Sequence, residues 1–160
     1  MVFANKPLEE KRDLDNTHLK KLLLKKISLF LQNKSTIMKI EVSNGEIIDK
    51  KTIIQIKLER INESAKLANL QKEYDELAKA SALIIDDNDP LYKALYDVNC
   101  ELWDIEDHIR DLERAKDFGE DFIQTARSVY FKNDKRSEIK REINLKTSSA
   151  LIEEKSYEKY

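Results

Sequence analysis

The longest regular pattern of apolar positions lies in the middle of the chain. Seven side chains follow one another at alternating spacings of four and three residues: Leu91, Leu95, Val98, Leu102, Ile105, Ile109 and Leu112. This seven-residue repeat is typical of a long helix that packs one narrow face against other helices at a shallow angle. We call this row the seam. It is equally compatible with packing inside one chain and with a homodimer.

Capping residues indicate where the first two helices of the main domain begin. Ser43 and Glu46 have the spacing of a capping box, in which a hydroxyl and a carboxylate each accept a backbone N–H. A helix is therefore predicted over 44–62, after a short extended stretch at 38–42, and the apolar positions expected on its core face are Ile47, Ile54, Leu58 and Ile61. Ser64 is the expected cap of the second helix, whose apolar row is Leu67, Leu70, Tyr74 and Leu77.

Two further helices follow. Asp89 can cap the third, and Pro90 fits its first turn because no hydrogen bond is lost there. This helix carries the seam and is predicted to end near Lys116. Asp117, with Glu120 three residues later, repeats the capping spacing and opens a fourth helix that runs to about residue 144.

The pattern as a whole predicts an all-α fold, an antiparallel bundle of about four helices with a basic N-terminal helix and a docked C-terminal tail near 153–157. Composition agrees, since 41% of residues are hydrophobic, 38% are charged, and there are only two Gly and two Pro. A single cysteine excludes an internal disulfide and fits a reducing cytoplasm. No apolar run approaches the ~20 residues of a membrane span, so no transmembrane segment is expected and the predicted location is cytoplasmic.

Charge separates the beginning of the chain from the rest. Residues 1–37 carry eight Lys or Arg against four Asp or Glu, and residues 38–160 carry 21 against 27. We expect residues 38–160 to form a single helical domain and residues 1–37 to be an N-terminal extension of it. An alternative for 1–37 is that it lies upstream of the true translation start at Met38. The net charge of −2 gives no reason to expect a nucleic-acid partner.

A short basic amphipathic helix is predicted within that extension, from about Thr17 to Gln32. Its apolar side chains stand among lysines: Leu19, Leu22, Leu23, Leu29 and Phe30. Such a helix can pack on its own domain, on a partner or on an anionic membrane surface.

A polar stripe runs beside the seam at the same spacing: Asn99, Trp103, Glu106, Arg110 and Glu113. Residues three and four apart share a helix face, so these side chains should border the core. In a purely structural interpretation Glu106 and Arg110 form an ordinary ion pair and Trp103 covers the core. In the functional one, Glu106 and Glu113 supply carboxylates to a cleft and Arg110 orients an anion.

The fourth helix carries a related interruption. An apolar row of Phe122, Ala126 and Val129 continues as Asn133, Arg136 and Lys140 before Ile143. Such a row either leaves the core or lines a polar cleft. Arg127 could reach an acid on a neighbouring helix. Taken with the polar stripe, the residues of the candidate cleft are Asn99, Trp103, Glu106, Arg110, Glu113, Arg127, Asn133 and Lys140.

No sequence motif identifies a reaction, and whether the protein is an enzyme stays open. Gly45 and Gly119 stand alone, which excludes glycine-rich phosphate loops, and one cysteine with two distant histidines cannot form a usual zinc site. Carboxylates on facing helices can bind Mg²⁺ or Mn²⁺. The candidate ligands are Asp49, Glu106 and Glu113, and the alternative function that they indicate is a metal-dependent hydrolase acting on a nucleotide or nucleotide-sugar.

Several strings between Met38 and Tyr160 match a known family, including Ile40-Glu41-Val42-Ser43, Gly45-Glu46, Leu102-Trp103-Asp104-Ile105-Glu106-Asp107, Ile109-Arg110, Ala126-Arg127-Ser128-Val129-Tyr130, Asn133-Asp134, and Glu153-Glu154-Lys155-Ser156-Tyr157. On these strings the sequence resembles domain-of-unknown-function family 6165, a group of small bacterial proteins. The resemblance implies a cytoplasmic module associated with glycosyltransferases of surface-polysaccharide synthesis, without an assigned activity. We therefore expect a helical module that binds a partner protein, such as a glycosyltransferase or another glycan-pathway protein, or a small anionic ligand.

Overall fold

The structure is a computed structural model that describes residues 18–26 and 39–156. It divides between Ile40 and Glu41 into two units. Residues 18–26 are helical and form α1. The second unit contains α2 (Asn44–Arg60), α3 (Ser64–Ser81), α4 (Pro90–Ala115) and α5 (Glu120–Lys146). Since no strand occurs in the described ranges, the predicted all-α fold is confirmed.

The basic helix predicted in the N-terminal segment is confirmed over residues 18–26. Its leucines face solvent: Leu19, Leu22, Leu23 and Leu24. The remainder of that prediction, including Leu29 and Phe30, lies outside the described residues. No helix in the described part of the chain is long and apolar enough to cross a membrane.

The seam on α4 lies within the fold of the chain itself. Four of its residues are buried and the other three are half-buried. Leu95 and Val98 pack in one core cluster with Ile48 of α2 and Ile143 of α5. The helices α2, α4 and α5 all contact one another, while α3 contacts only α2 among the helices of the second unit. The core is therefore a three-helix arrangement with α3 packed on its side.

The core face predicted for α2 is only partly right. Ile54 is buried as expected, but Ile47, Leu58 and Ile61 are half-buried, and the apolar residues that α2 buries most completely are Ile48, Ile54 and Ile56. The reason is that α2 contacts three helices, so more than one of its faces is covered. A single apolar row describes a helix with one buried face, and α2 is not such a helix.

Two predicted caps are confirmed. The Ser43 hydroxyl accepts a hydrogen bond from the Glu46 backbone N–H at 3.2 Å, which caps α2. Asp89 accepts one from the Leu91 N–H at 3.0 Å, and Pro90 is the first residue of α4. The carboxylate of Glu46 does not complete a capping box, because it forms an ion pair with α5, as described below.

Two other predicted caps are wrong by one or two residues. Ser64 is the first residue of α3, whose cap position is Glu63, and the Glu63 side chain accepts no backbone N–H of the first turn. Gly119, not Asp117, caps α5. The Asp117 carboxylate instead accepts the Gly119 N–H at 3.1 Å and so shapes the turn before the helix. The predicted end of α4 is confirmed, since Lys116 adopts the left-handed conformation (φ 57°) that terminates helices.

The C-terminal tail follows α5 without regular secondary structure over residues 151–156. It is tied back to α5 by two ion pairs, Glu153 with Lys140 at 2.7 Å and Glu154 with Arg141 at 2.8 Å. The predicted docked tail is therefore confirmed in its described part, and this docking places Glu153 beside the polar face of α5.

Candidate functional site

The polar stripe of α4 does not converge on one site. Asn99 points into the protein interior, where its Nδ2 donates to Asp49 Oδ1 and Thr52 Oγ1, both at 2.9 Å. Trp103 is half-buried, and the guanidinium of Arg60 lies 5.7 Å from the centre of its ring. These two residues therefore have roles in packing that differ from those of the rest of the stripe.

The charged members of the stripe lie on the solvent-exposed surface of α4. Glu106 and Arg110 form an ion pair at 2.8 Å, four residues apart on one helix. Glu113 pairs with Lys116 at 2.8 Å. Both pairs are solvent-exposed, and pairs of this kind contribute little because water and salt screen them.

Glu106→Gln should therefore change the free energy of unfolding by less than about 0.5 kcal/mol. Urea denaturation of the two proteins side by side measures this difference. A loss above about 1.5 kcal/mol would show that Glu106 has a structural contact beyond its exposed ion pair.

A buried ion pair connects α2 to α5. The Asp49 carboxylate is 1% exposed and accepts hydrogen bonds from Arg136 Nε at 2.9 Å and Arg136 Nη2 at 2.5 Å. Asn99 supplies a third hydrogen bond. The planar guanidinium thus binds the carboxylate through two parallel contacts, the strong form of this interaction. The hydrogen bond to Asp49 raises the pKa of Arg136 further above its ordinary value.

A second ionic cluster lies one helical turn further along α5. Lys140, whose side chain is 10% exposed, places its ammonium 2.6 Å from a Glu46 oxygen and 2.7 Å from a Glu153 oxygen. Burial acts to lower the pKa of Lys140, but hydrogen bonds to both glutamates outweigh it and the pKa is raised. The same contact lowers the pKa of Glu153 from the ordinary 4.5, so this pair persists as pH falls and is lost only when Glu153 is protonated.

The two ionic clusters border a cleft of about 120 Å³ between α5 and the tail. Its lining consists of Asn133, Arg136, Ser137, Lys140, Glu153 and Lys155. The four α5 residues follow at spacings of three, one and three, which places them on one helix face. Lys155 on the tail approaches the backbone oxygen of Asn133 at 3.4 Å. Within the described residues, no hydrogen bond engages the Ser137 hydroxyl.

Close packing of the start of α2 against the end of α5 holds Glu46 in place. The Gly45 N–H donates to Asn144 Oδ1 at 2.6 Å, and the Asn44 N–H donates to Ser149 Oγ at 3.0 Å. A Cβ on Gly45 would lie 2.5 Å from the Lys140 backbone oxygen, so only glycine fits here. Because neighbouring side chains accept the N–H groups of residues 44–46, this helix start has no free donors for an anion.

The cleft contains only part of the set predicted from the sequence. Asn133 and Lys140 line it. Asn99 lies behind it, joined to Arg136 through Asp49. The other predicted residues do not line it: Trp103, Glu106, Arg110, Glu113 and Arg127, the last being exposed on α5.

The candidate metal ligands Asp49, Glu106 and Glu113 are engaged separately. Asp49 is bound by Arg136 and Asn99 in the interior. Glu106 pairs with Arg110 of α4, and Glu113 pairs with Lys116 at the end of α4. Among the residues that the structure describes, no group of three or more His, Cys, Asp or Glu side chains is arranged to bind a metal ion.

Sequence reasoning missed several residues of the cleft. It recognised Arg136 in the interrupted row, for which a polar cleft was one of two interpretations, but left it out of the candidate cleft residues, although its spacing from Asn133 and Lys140 was a usable signal. Ser137 lies one residue further on the same face. Glu153 and Lys155 had no local signal, because only the path of the tail brings them to α5.

A second cleft, of about 250 Å³, is rich in tyrosine and is lined by Gln55, Tyr74, Asp87, Tyr92, Lys93, Tyr96 and Asp97. The buried ammonium of Lys51 lies beside it, 2.6 and 2.7 Å from the two Asp87 oxygens and 4.8 Å from the centre of the Tyr92 ring. Burial raises the pKa of Tyr92, which stays neutral. Because Asp87 already neutralises this buried cation, we interpret the contact as one that anchors α2 to the segment before α4.

Comparison with known proteins assigns the family. Residues 38–160 match the family of unknown function DUF6165. This match spans most of the chain, so the chain belongs to that family, as the resemblance in the sequence indicated. No curated protein matches the chain, and no solved structure does.

Proposed function

We propose that this DUF6165 protein binds a small anion, a phosphate or carboxylate group of a larger ligand, in the cleft between α5 and the tail. The observation that carries the proposal is the meeting of three cationic side chains, Arg136, Lys140 and Lys155, around one small cleft. Lys155 lies outside α5 in the sequence, so only the folded path of the tail brings it close to Arg136 and Lys140. The cations are supported by the Ser137 hydroxyl, a neutral donor on the same face.

Arg136 and Lys140 are held in position by neighbouring side chains, and each still has N–H donors that an anion can use. Arg136 has five N–H donors, of which the contacts to Asp49 and Asn133 use three. Lys140 has three N–H donors, of which Glu46 and Glu153 take two. Fixed donors bind an anion better than mobile ones, because less side-chain entropy is lost on binding.

The volume of the cleft limits what can enter it. Its 120 Å³ is well below the ~300–1,000 Å³ of pockets that enclose whole drug-sized molecules. The charged end of a ligand fits, and the rest of the ligand would then lie along the surface. This supports recognition of a phosphate or carboxylate group and gives no basis for choosing the remainder of the ligand.

Titration with inorganic phosphate at constant ionic strength tests the proposal. Amide shifts of residues 133–140 in NMR spectra should show saturable binding, and Lys155→Gln should weaken it by about fivefold, a loss of ~1 kcal/mol that is the usual net contribution of one hydrogen bond. Ser137→Ala should weaken it less.

Lys135→Gln is the matched control for this titration, because Lys135 is exposed on α5 next to Arg136 but does not line the cleft. Its affinity should equal that of the parent protein. Equal weakening by Lys135→Gln and Lys155→Gln would show a general charge effect, and the absence of saturation would contradict anion binding in the cleft.

The proposal also includes a pathway and a partner protein. The family resemblance supports a bacterial, cytoplasmic module of surface-glycan synthesis, with a glycosyltransferase or another glycan-pathway protein as partner. A phosphate-bearing sugar donor or acceptor of such a pathway has the chemistry that the cleft accepts. Copurification of the tagged protein with a glycosyltransferase of such a pathway would test the partner.

The alternative of a metal-dependent hydrolase has no specific observation in its favour. Asp49 already forms an ion pair with Arg136, and Glu106 and Glu113 pair with other cations on exposed parts of α4. The cleft itself is lined by one carboxylate and three cationic side chains, a set that suits anions better than divalent cations.

A further inference from the structure

The C-terminal tail places a carboxylate of the protein itself in the anion-binding cleft. Glu153 lines the cleft and contacts the Lys140 ammonium at 2.7 Å. We infer that Glu153 occupies the position of the ligand's anion, and that a bound phosphate displaces the Glu153 carboxylate from Lys140 while Lys155 stays at the cleft. This inference rests on the proposed function and adds a regulatory device to the same cleft.

Glu153 is one of two carboxylates that contact the ammonium of Lys140, the other being Glu46 of α2. When the Glu153 carboxylate leaves, one N–H donor of Lys140 loses its acceptor, and an incoming anion can accept that donor instead. The ligand and the Glu153 carboxylate therefore compete for one position beside Lys140.

Glu153 is the carboxylate of this cluster that can leave most easily. Asp49 and Glu46 belong to α2, and a packed helix holds each of them against α5. Glu153 instead belongs to an irregular segment, and the apolar residues next to it, Leu151 and Ile152, remain 44% and 39% exposed. The described tail thus has no buried apolar anchor.

Polar contacts hold the tail in place. Among them are the ion pair of Glu153, that of Glu154 with Arg141 and the approach of Lys155 to Asn133. The Glu153 side chain is 48% exposed, so its carboxylate can turn from Lys140 toward water without a movement of the tail backbone. A bound anion can therefore shift the equilibrium between a cleft that Glu153 occupies and an open one.

Phosphate affinity of Glu153→Gln against the parent protein tests this competition. Glutamine keeps the size of the side chain but not its charge, and the variant should bind inorganic phosphate about 5- to 10-fold more tightly because a larger fraction of molecules has an open cleft. Glu154→Gln is the matched control: it removes the neighbouring ion pair outside the cleft and should leave the affinity within about twofold of the parent.

The Glu153 carboxylate gives a second readout. In the parent protein, saturating phosphate should move the side-chain carboxyl ¹³C signal of Glu153 toward that of a solvent-exposed glutamate, while the corresponding signal of Glu154 stays in place. Equal phosphate affinity in the parent and Glu153→Gln, or a Glu153 carboxyl signal that phosphate leaves unchanged, overturns the competition and leaves anion binding intact. Absence of phosphate binding in every variant, Glu153→Gln included, overturns both proposals.

Discussion

Asp49→Ala should lower the free energy of unfolding by about 3 kcal/mol, the lower end of the range for breaking a buried ion pair. The change removes the carboxylate that Arg136 binds through two hydrogen bonds and Asn99 through one. Arg136 would then be a half-buried cation without its counter-ion. Its side chain is 28% exposed, so water can replace part of what is lost, which is why the upper end of the range is not expected.

Urea unfolding curves measure this loss, and Asp111→Ala is the matched control. Asp111 and Arg114 form an exposed ion pair within α4. Removal of the Asp111 carboxylate should cost less than about 0.5 kcal/mol. The double variant Asp49→Ala/Arg136→Met should be more stable than the sum of the two single losses predicts, because removing both partners leaves no unpaired charge. A loss below about 1 kcal/mol for Asp49→Ala would contradict a buried ion pair that holds α2 to α5.

Gly45→Ala should destabilise the protein by about 2–3 kcal/mol, the upper part of the usual cost of forcing extra volume into a packed interior. The added Cβ would lie 2.5 Å from the backbone oxygen of Lys140 and 3.0 Å from Asn144 Oδ1. A backbone atom of α5 cannot rotate away, so α2 and α5 must separate. That separation would also lengthen the 2.6 Å hydrogen bond from the Gly45 N–H to Asn144.

Gly119→Ala is the control that separates this steric overlap from the general effect of replacing a glycine by alanine. Gly119 is at the cap of α5 with an ordinary φ of −74°, and a Cβ there would meet only the exposed side chain of Asp117 at 3.2 Å. Its cost should stay below about 1 kcal/mol, the difference between glycine and alanine at a helix cap. Equal losses for the two variants, measured by thermal and urea unfolding, would contradict close backbone contact at Gly45.

Both large effects concern the junction of α2 with α5, which also positions the donors of the cleft. Asp49 orients Arg136 and Glu46 orients Lys140, so this junction links stability to anion binding. The buried polar groups of the junction are nearly all paired. Within the described part of the chain, Asn144 Nδ2 is the buried side-chain atom without a hydrogen-bond partner.

Local patterns were sufficient to predict the helices and part of their boundaries. The seam depends on the 3.6-residue period of a helix, and Asp89 with Pro90 caps α4 through bonds inside one turn. The predictions at Ser64 and Asp117 were displaced by one and two residues. A short polar side chain can satisfy a nearby N–H in a turn as well as in a cap, and the choice depends on the path of the backbone.

The sequence by itself determined the all-α fold, the seam and the shared face of Asn133, Arg136 and Lys140, because these follow from spacing along one helix. Only the tertiary structure decided that this face borders a cleft. Asp49 and Arg136 are 87 residues apart, and Glu46 and Lys140 are 94 apart. Ion pairing depends on distance in space, and the pattern along a helix reports only near neighbours in sequence. The position of Glu153 in the cleft was decided in the same way, by the path of a tail that has no periodic pattern of its own.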